Sequence, residues 1–354
     1  MRCRGIPPRS RGGGCQSAGL VAPTLFFNDQ LDVAHHANAF FREFDGTAEF
    51  SFTERERIDI VTEGEATEAT QLATRLADEG CPVRYLEAED VSEQFPQFDL
   101  EEFAGAVLYE DTGWVDPYTY ATALQTTAMA RGATFELDVE VTDIRVDNDQ
   151  IEGLETDDGT VDADVVVIAA GWRTRSLLPD DIDVPIQPYR TQIVVLEPET
   201  SLSDEFPLGR VGTEHVYFRP EHNGDLLVGG SHHTTDDPRS TSTDADESFR
   251  VEIADLVPEF IRGFEDADLV NGWAGVDVAS PDTSPIIDSP ANAPEGLVVA
   301  TGFNGLGIMT SPVVGPTVRA RLTGSEPEFS TEPFATDRFE GVGVDFDYIS
   351  TSDI

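Results

Sequence analysis

A chain of 354 residues with 39% apolar side chains is long enough for two domains, or for one large α/β domain carrying an insertion. Its 22 Lys and Arg against 68 Asp and Glu leave a formal net charge of −46, which repels nucleic acid and anionic membrane surfaces and suits high salt, where counter-ions screen the self-repulsion. No apolar run reaches the length of a membrane span and no apolar signal region opens the chain, so a soluble, cytoplasmic, salt-adapted (halophilic) protein is expected.

In chain order, residues 1 to 28 carry four arginines (Arg2, Arg4, Arg9 and Arg11) and no acid, and everything after them is acidic. Ser51 to Thr62 alternates as a strand, with Phe52, Ile58 and Ile60 as its apolar members. Ala66 to Glu79 has helical spacing and ends at Gly80, and Asp90 to Phe95 forms a short helix stopped by Pro96. Asp116 and Pro117 supply an N-cap and a first helical residue for a helix running to Ala130. From Thr134 to Asp162 three short strands form a meander that leads into a buried strand, Val165–Ala169. Strands dominate Gln187 to Val228, a helix follows over Asp246 to Phe264, and Leu269–Val278, Ile286–Ile287 and Leu297–Thr301 are strands.

The last of these strands breaks into Gly302, Gly305 and Gly307 and re-forms as a helix over Thr310 to Leu322, ending near Gly324 before a polar tail. A strand that turns through glycines into a helix brings backbone N–H groups close to a ligand at the helix N-terminus. A similar element runs from Asp164 to Gly171 and on into Trp172 to Leu178. Either one alone is more often an ordinary tight turn. The three cysteines (Cys3, Cys15 and Cys81) make neither a disulfide framework nor a zinc site, and the six histidines, including His35-His36 and His232-His233, lack metal-ligand spacing, so no metal is expected. His232 and His233 follow Gly229-Gly230 and are expected at an exposed sheet edge.

Seven motifs in a fixed order resemble the FAD-dependent amine and amino-acid oxidoreductases of the D-amino-acid oxidase superfamily, nearest to its sarcosine oxidase, glycine oxidase and dimethylglycine dehydrogenase branch. They are Ser17-Ala-Gly-Leu-Val21, Gly113-Trp-Val-Asp-Pro117, Val165-Val-Val-Ile-Ala-Ala-Gly171, Val216-Tyr-Phe-Arg-Pro220, Gly272-Trp-Ala-Gly275, Ser284-Pro-Ile-Ile-Asp288 and Gly302-Phe-Asn-Gly-Leu-Gly-Ile-Met309. The resemblance implies a mixed α/β fold: a Rossmann-like FAD-binding domain (12–50, 101–185 and 270–325) with an inserted antiparallel-sheet substrate domain (51–100 and 186–269) and a C-terminal tail (326–354). It implies FAD contacts at Ser17, Ala18 and Gly19 beside the ring and pyrophosphate, at Val141, Ala169, Ala170 and Gly171 on the adenosine side, and at Gly302, Asn304, Gly305, Leu306, Gly307 and Ile308 at the pyrimidine edge. Val276 to Ser280 holds no cysteine, so the FAD is expected to be non-covalent.

The substrate pocket then lies under the Gln187–Val228 sheet. Tyr217 and Arg219 share a strand face there, Arg219 as a candidate carboxylate clamp and His215 as a polar neighbour. The implied reaction is hydride transfer from an amine or amino acid to flavin N5, the imine then hydrolysing, with oxygen or a carrier protein as electron acceptor. The alternatives are a flavin 2-hydroxy-acid dehydrogenase, which wants a histidine base, and a non-catalytic remnant. The family's opening strand, G-x-G-x-x-G turn and helix do not precede Gly12, and residues 1–11 read as foreign or disordered. On that reading the chain as written binds FAD weakly or not at all. Leu306 and Met309 stand where sarcosine oxidases carry His and Lys, which leaves the substrate open.

Overall fold

The computed structural model describes the backbone of Arg2–Gly5 and residues 17–179, 181–339 and 341–351. The first half of the chain forms β1 (Arg2–Gly5), β2 (Leu20–Val21), α1 (Pro23–Phe26), α2 (Leu31–Phe44), β3 (Phe52–Glu54), β4 (Arg57–Val61), α3 (Ala66–Asp78), β5 (Val83–Glu87), α4 (Ala88–Gln94), β6 (Gly105–Tyr109), β7 (Gly113–Val115) and α5 (Pro117–Ala130). It continues through β8 (Thr134–Leu137), β9 (Val141–Asp147), β10 (Gln150–Thr156), β11 (Gly159–Asp162), β12 (Val166–Ile168) and α6 (Thr174–Leu177). The second half adds β13 (Gln187–Glu197), β14 (Leu208–Val211), β15 (Val216–Pro220), β16 (Leu226–Thr234), α7 (Glu247–Leu256), β17 (Asp268–Ala279), β18 (Ile286–Asp288), β19 (Leu297–Thr301) and α8 (Gly307–Thr323). Among the described residues no helix is long and apolar enough to cross a membrane, and no acid, histidine and cysteine side chains cluster as a metal site.

The architecture is the expected mixed α/β one. Its largest element is an eight-stranded sheet in the order β17-β13-β16-β15-β14-β4-β6-β5. Alternation along its strands decides what each face meets. Ile58 and Ile60 of β4, Val194 and Leu196 of β13 and Phe218 of β15 point into a core shared with α4 and α7. Ile193 and Val195 of β13 and Leu227 of β16 point the other way, against Ala18. On β4 this second face carries two charged residues, Arg57 and Asp59, and both are buried.

Three smaller sheets complete the opposite side: the meander β11-β10-β9, the trio β12-β19-β18 with β12 and β19 parallel, and β2-β7-β3. The domain boundaries differ from those expected. β6 pairs antiparallel with both β4 and β5, and all five of its residues are buried, so the sheet of the insertion extends to Tyr109. β17 likewise belongs wholly to that sheet from Asp268. Arg2–Gly5, expected to lie outside the fold, pairs in parallel with β8, whose edge offers open backbone groups. The rest of the expected foreign segment, Met1 and 6–11, lies outside the described residues.

Local signals held where they were local. Asp116 caps α5, its Oδ1 accepting the Thr119 N–H at 2.7 Å, with Pro117 at the first position. Asp116→Ala is therefore expected to lower stability by about 1 kcal/mol, read as a drop in Tm with the far-UV spectrum unchanged. An unaltered Tm would contradict that role.

Candidate active site

The strand β19 ends at Thr301 and the chain turns through Gly302, Asn304 and Gly305 in the left-handed region (φ +70°, +51° and +81°) before α8 begins. Asparagine and glycine adopt that conformation with little strain. The turn is pinned to the end of β17. The Asn304 N–H donates to Val278 O (3.1 Å), and the Asn304 Nδ2 donates to Ser280 Oγ (2.9 Å) and to Gly302 O (2.7 Å). The Gly305 N–H donates to Asp277 Oδ2 at 2.7 Å. Among the described residues the N–H groups of Gly307 and Ile308, in the first turn of α8, have no backbone acceptor, as helix geometry dictates.

Between this turn and the second face of the large sheet lies a cavity of about 110 Å³. Ser17, Ala18, Leu20, Gly305, Leu306 and Met309 wall it on one side. On the sheet side its wall runs from Asp277 on β17 through Tyr189, Thr191 and Ile193, His232 and Tyr217 to Arg210 and Arg57. Burial pushes the Tyr217 hydroxyl up to about 12, against the opposing pull of a hydrogen bond with Thr191 and of the Arg219 charge. Tyr189, fully buried and beside Asp277, is raised further still. Both phenols are therefore neutral donors at neutral pH. Burial also raises the Asp277 carboxyl, while the N–H groups of Val278 and Gly305 and the Tyr189 hydroxyl favour its charged form.

The structure brings some of the expected residues together and not others. Ser17, Ala18, Gly305, Leu306 and Tyr217 line the cavity. Gly19 faces β7 instead: its carbonyl accepts the Val115 N–H, and a Cβ there would fall 2.0 Å from Val115 O. Gly302 and Asn304 shape and fasten the turn. Gly307 and Ile308 open α8. Val141 begins β9, and Ala169, Ala170 and Gly171 follow β12 as an exposed to half-buried small-residue surface.

Arg219 is 4% exposed and engaged on every side. It donates to Ala18 O and to Pro220 O (3.1 Å), pairs with Glu221 at 3.0 Å and covers the Trp114 ring at 4.1 Å. It holds the Ser17–Ala18 wall rather than facing the cavity. His215 is a correction. It sits exposed in a left-handed turn before β15 begins, so strand alternation does not carry it to the face of Tyr217.

His232 is the opposite correction, since it lines the cavity, with its ring 5.5 Å from Tyr189 and its Nδ1 bonded to Ser350 Oγ. Arg57, Asp59, Arg210, Asp277 and the tail residue Thr351 were not singled out. The signal for the first two was their alternation with Ile58 and Ile60 along a buried strand.

The raised Asp277 pKa carries a sign. The folded state binds this proton more tightly than the unfolded chain, so the group's contribution is full below the unfolded pKa and is lost as pH rises through the folded value. The Tm of the wild type minus that of Asp277→Asn is expected to fall as pH rises above the ordinary carboxylate range. Paired melts at constant salt measure it, and a difference independent of pH would contradict the shift.

The comparisons with known proteins place the chain in a family. A family profile described as FAD dependent oxidoreductase (DAO) matches residues 10–321. The glycine oxidase of Geobacillus kaustophilus is 30% identical over 286 residues, covering 80% of this chain and 74% of that protein. The glycine oxidase of Pseudomonas putida is 28% identical over 197 residues, 55% of this chain, so the match spans about half (52%) of that relative. The crystal structure of an L-proline dehydrogenase from P. horikoshii superposes with a TM-score of 0.87 at 21% identity, covering 97% of this chain and 92% of the other, a likeness of fold. The chain belongs to the family of FAD-dependent oxidoreductases.

Proposed function

We propose that the cavity between the Gly302–Gly307 turn and the large sheet is the place where an amine or amino acid is oxidised at the carbon beside its nitrogen. The observation that carries the reading is the cavity's two unlike walls: small residues and a helix N-terminus on one side, neutral phenols and apolar side chains on the other. FAD, the family's cofactor, supplies the acceptor for the hydride equivalent when bound.

The residues present fit its ring. Ser17, Ala18 and Gly305 leave the front of the cavity free of bulk, and a Cβ on Gly305 would fill that space, 3.2 Å from the Tyr189 hydroxyl and 3.8 Å from Thr351 Oγ1. The N–H groups of Gly307 and Ile308 and the dipole of the 17-residue α8 would stabilise negative charge at the pyrimidine edge. Ala169 to Gly171 and Val141 are the surface for the adenosine side, and no cysteine stands between Val276 and Ser280, in keeping with non-covalent FAD.

The chain's own residues then bind and desolvate. Leu20, Ile193, Val216, Leu306 and Met309 exclude water around the substrate nitrogen, and loss of hydration favours the neutral amine that can react. Tyr217 orients the substrate as a hydrogen-bond donor, while the Tyr189 hydroxyl is turned to Asp277. No side-chain base is needed for that step. His232 on the cavity wall favours a second reading, oxidation of a 2-hydroxy acid with the imidazole as base. The net charge of −46 supports a salt-adapted protein that avoids nucleic acid and anionic membranes.

Anaerobic mixing in high salt of the FAD-reconstituted protein with glycine, sarcosine or lactate separates these readings. Bleaching of the visible flavin absorbance by glycine or sarcosine, with release of the corresponding aldehyde acid, is the expected result. Bleaching by lactate alone would support the second reading. No bleaching by any of the three would overturn the proposal, and failure of the protein to take up FAD would support the remnant reading.

A further inference from the structure

We propose that the tail segment 341–351 is a strap across the mouth of the cavity, which swings away to admit a ligand and closes to seal it from water. The proposal rests on reading the cavity as the place of oxidation only for what the strap encloses.

The strap belongs to no helix or sheet among the described residues, and side chains fasten it. The Gln187 Nε2 donates to Val344 O at 2.9 Å and to Phe346 O at 2.8 Å, two carbonyls two residues apart. The Tyr348 ring packs on Tyr189 with the centroids 5.2 Å apart, and Ser350 Oγ bonds His232 Nδ1. Thr351 Oγ1 donates to Asn304 O at 3.1 Å. Burial alternates to match, as in an extended chain lying on a surface. Val344, Phe346 and Tyr348 are half-buried and Ser350 is buried, while Asp345, Asp347 and Ile349 are exposed. Gln187 opens β13, His232 lies near the end of β16, and Asn304 belongs to the glycine turn. The strap therefore ties one wall of the cavity to the other at their rim, and Thr351 lines the interior.

Volume decides that a wall must move. With the strap in place the cavity has a volume of about 110 Å³, well under the roughly 300–1,000 Å³ of small-molecule sites. The other walls are costly to shift. Those on β13, β15, β16 and β17 sit in continuous ladders, and the glycine turn is held by Asn304 and by the Gly305 bond to Asp277. Side-chain bonds that water can replace, such as those on the strap, hold little net stability. Segments fastened in that way are the first to open locally. The pivot is built in. Phe339 is buried, and Arg338 is bonded to Asp282 and to the carbonyls of Ser284 and Pro285. Gly341 follows in the left-handed region (φ +80°), with Gly343 two residues on. Glycine there lets the chain beyond it swing while the anchor stays in place.

A thiol placed in the sheet wall reports the opening without any ligand. Ile193 lines the cavity and is 2% exposed, so Ile193→Cys is the reporter. Its alkylation by iodoacetamide in high salt is read at residue 193 by peptide mass spectrometry, with amide exchange of 341–351 and of β13 followed in parallel. The strap amides are expected to exchange well before those of β13. Gln187→Leu, which removes both bonds to the strap, is expected to speed alkylation roughly ten-fold, the effect of two neutral hydrogen bonds, with β13 exchange unchanged. Thr351→Val, which keeps the shape and loses the bond to Asn304, is expected to speed it less. Should Gln187→Leu disturb β13 or fail to fold, Tyr348→Ala decides in its place. Alkylation of Ile193→Cys at the same rate with and without the strap substitutions, or strap exchange no faster than that of β13, overturns the proposal. If no amine reduces the flavin, the proposed function fails while the alkylation rates still decide this inference.

Discussion

The Gly305 N–H is held by the Asp277 carboxylate, and through that bond the glycine turn is fixed to the end of the longest strand of the sheet. The Asn304 amide adds three further ties, to Val278, Ser280 and Gly302. The Asn304 bonds join buried polar groups and are costly to leave unmade. Together they decide where α8 begins and which way its first N–H groups point. Without them the helix N-terminus and the phenols of the sheet would belong to two separate surfaces. With them they become the two walls of one cavity.

The same constraint explains the use of charge. On a chain with a net charge of −46, cations are scarce, and most of those described pair with acids at the surface, where such pairs contribute little. Arg57 and Arg219 are the exceptions, being almost wholly buried. Arg219 braces the Ser17–Ala18 wall through Ala18 O and the Trp114 ring. Arg57 sits at the far end of the same face. One stiffens the cavity and the other gives it polarity, and the apolar residues between them keep water from weakening either effect.

Features encoded within a few residues were legible in the sequence. The Asp116–Pro117 cap, the end of α3 before Gly80 and the glycine turn after β19 need only local chemistry, and the structure has all three. Features made by long-range pairing were not. β6 reads as part of the cofactor domain until its pairing with β4 and β5 is seen. α2 escaped because Asn38 interrupts an otherwise apolar face, although it turns inward to bond Asp111. His215 and His232 exchanged places for a related reason. The start of β15 at Val216 and the length of β16 to Thr234 set which histidine meets the cavity, and neither boundary is written in the local pattern. The polar tail, read as an appendage, lies along the sheet: the Gln187 Nε2 donates to Val344 O and Phe346 O, and Tyr348 packs on Tyr189.

The central claim is that the turn at Gly302–Gly307 and the face of the large sheet enclose one flavin ring. A crystal structure of the protein reconstituted with FAD tests it most directly. The account predicts the isoalloxazine between Ser17–Ala18 and the sheet, its pyrimidine edge within hydrogen-bond distance of the Gly307 and Ile308 N–H groups. Flavin bound elsewhere, or with that edge turned away from α8, would contradict it.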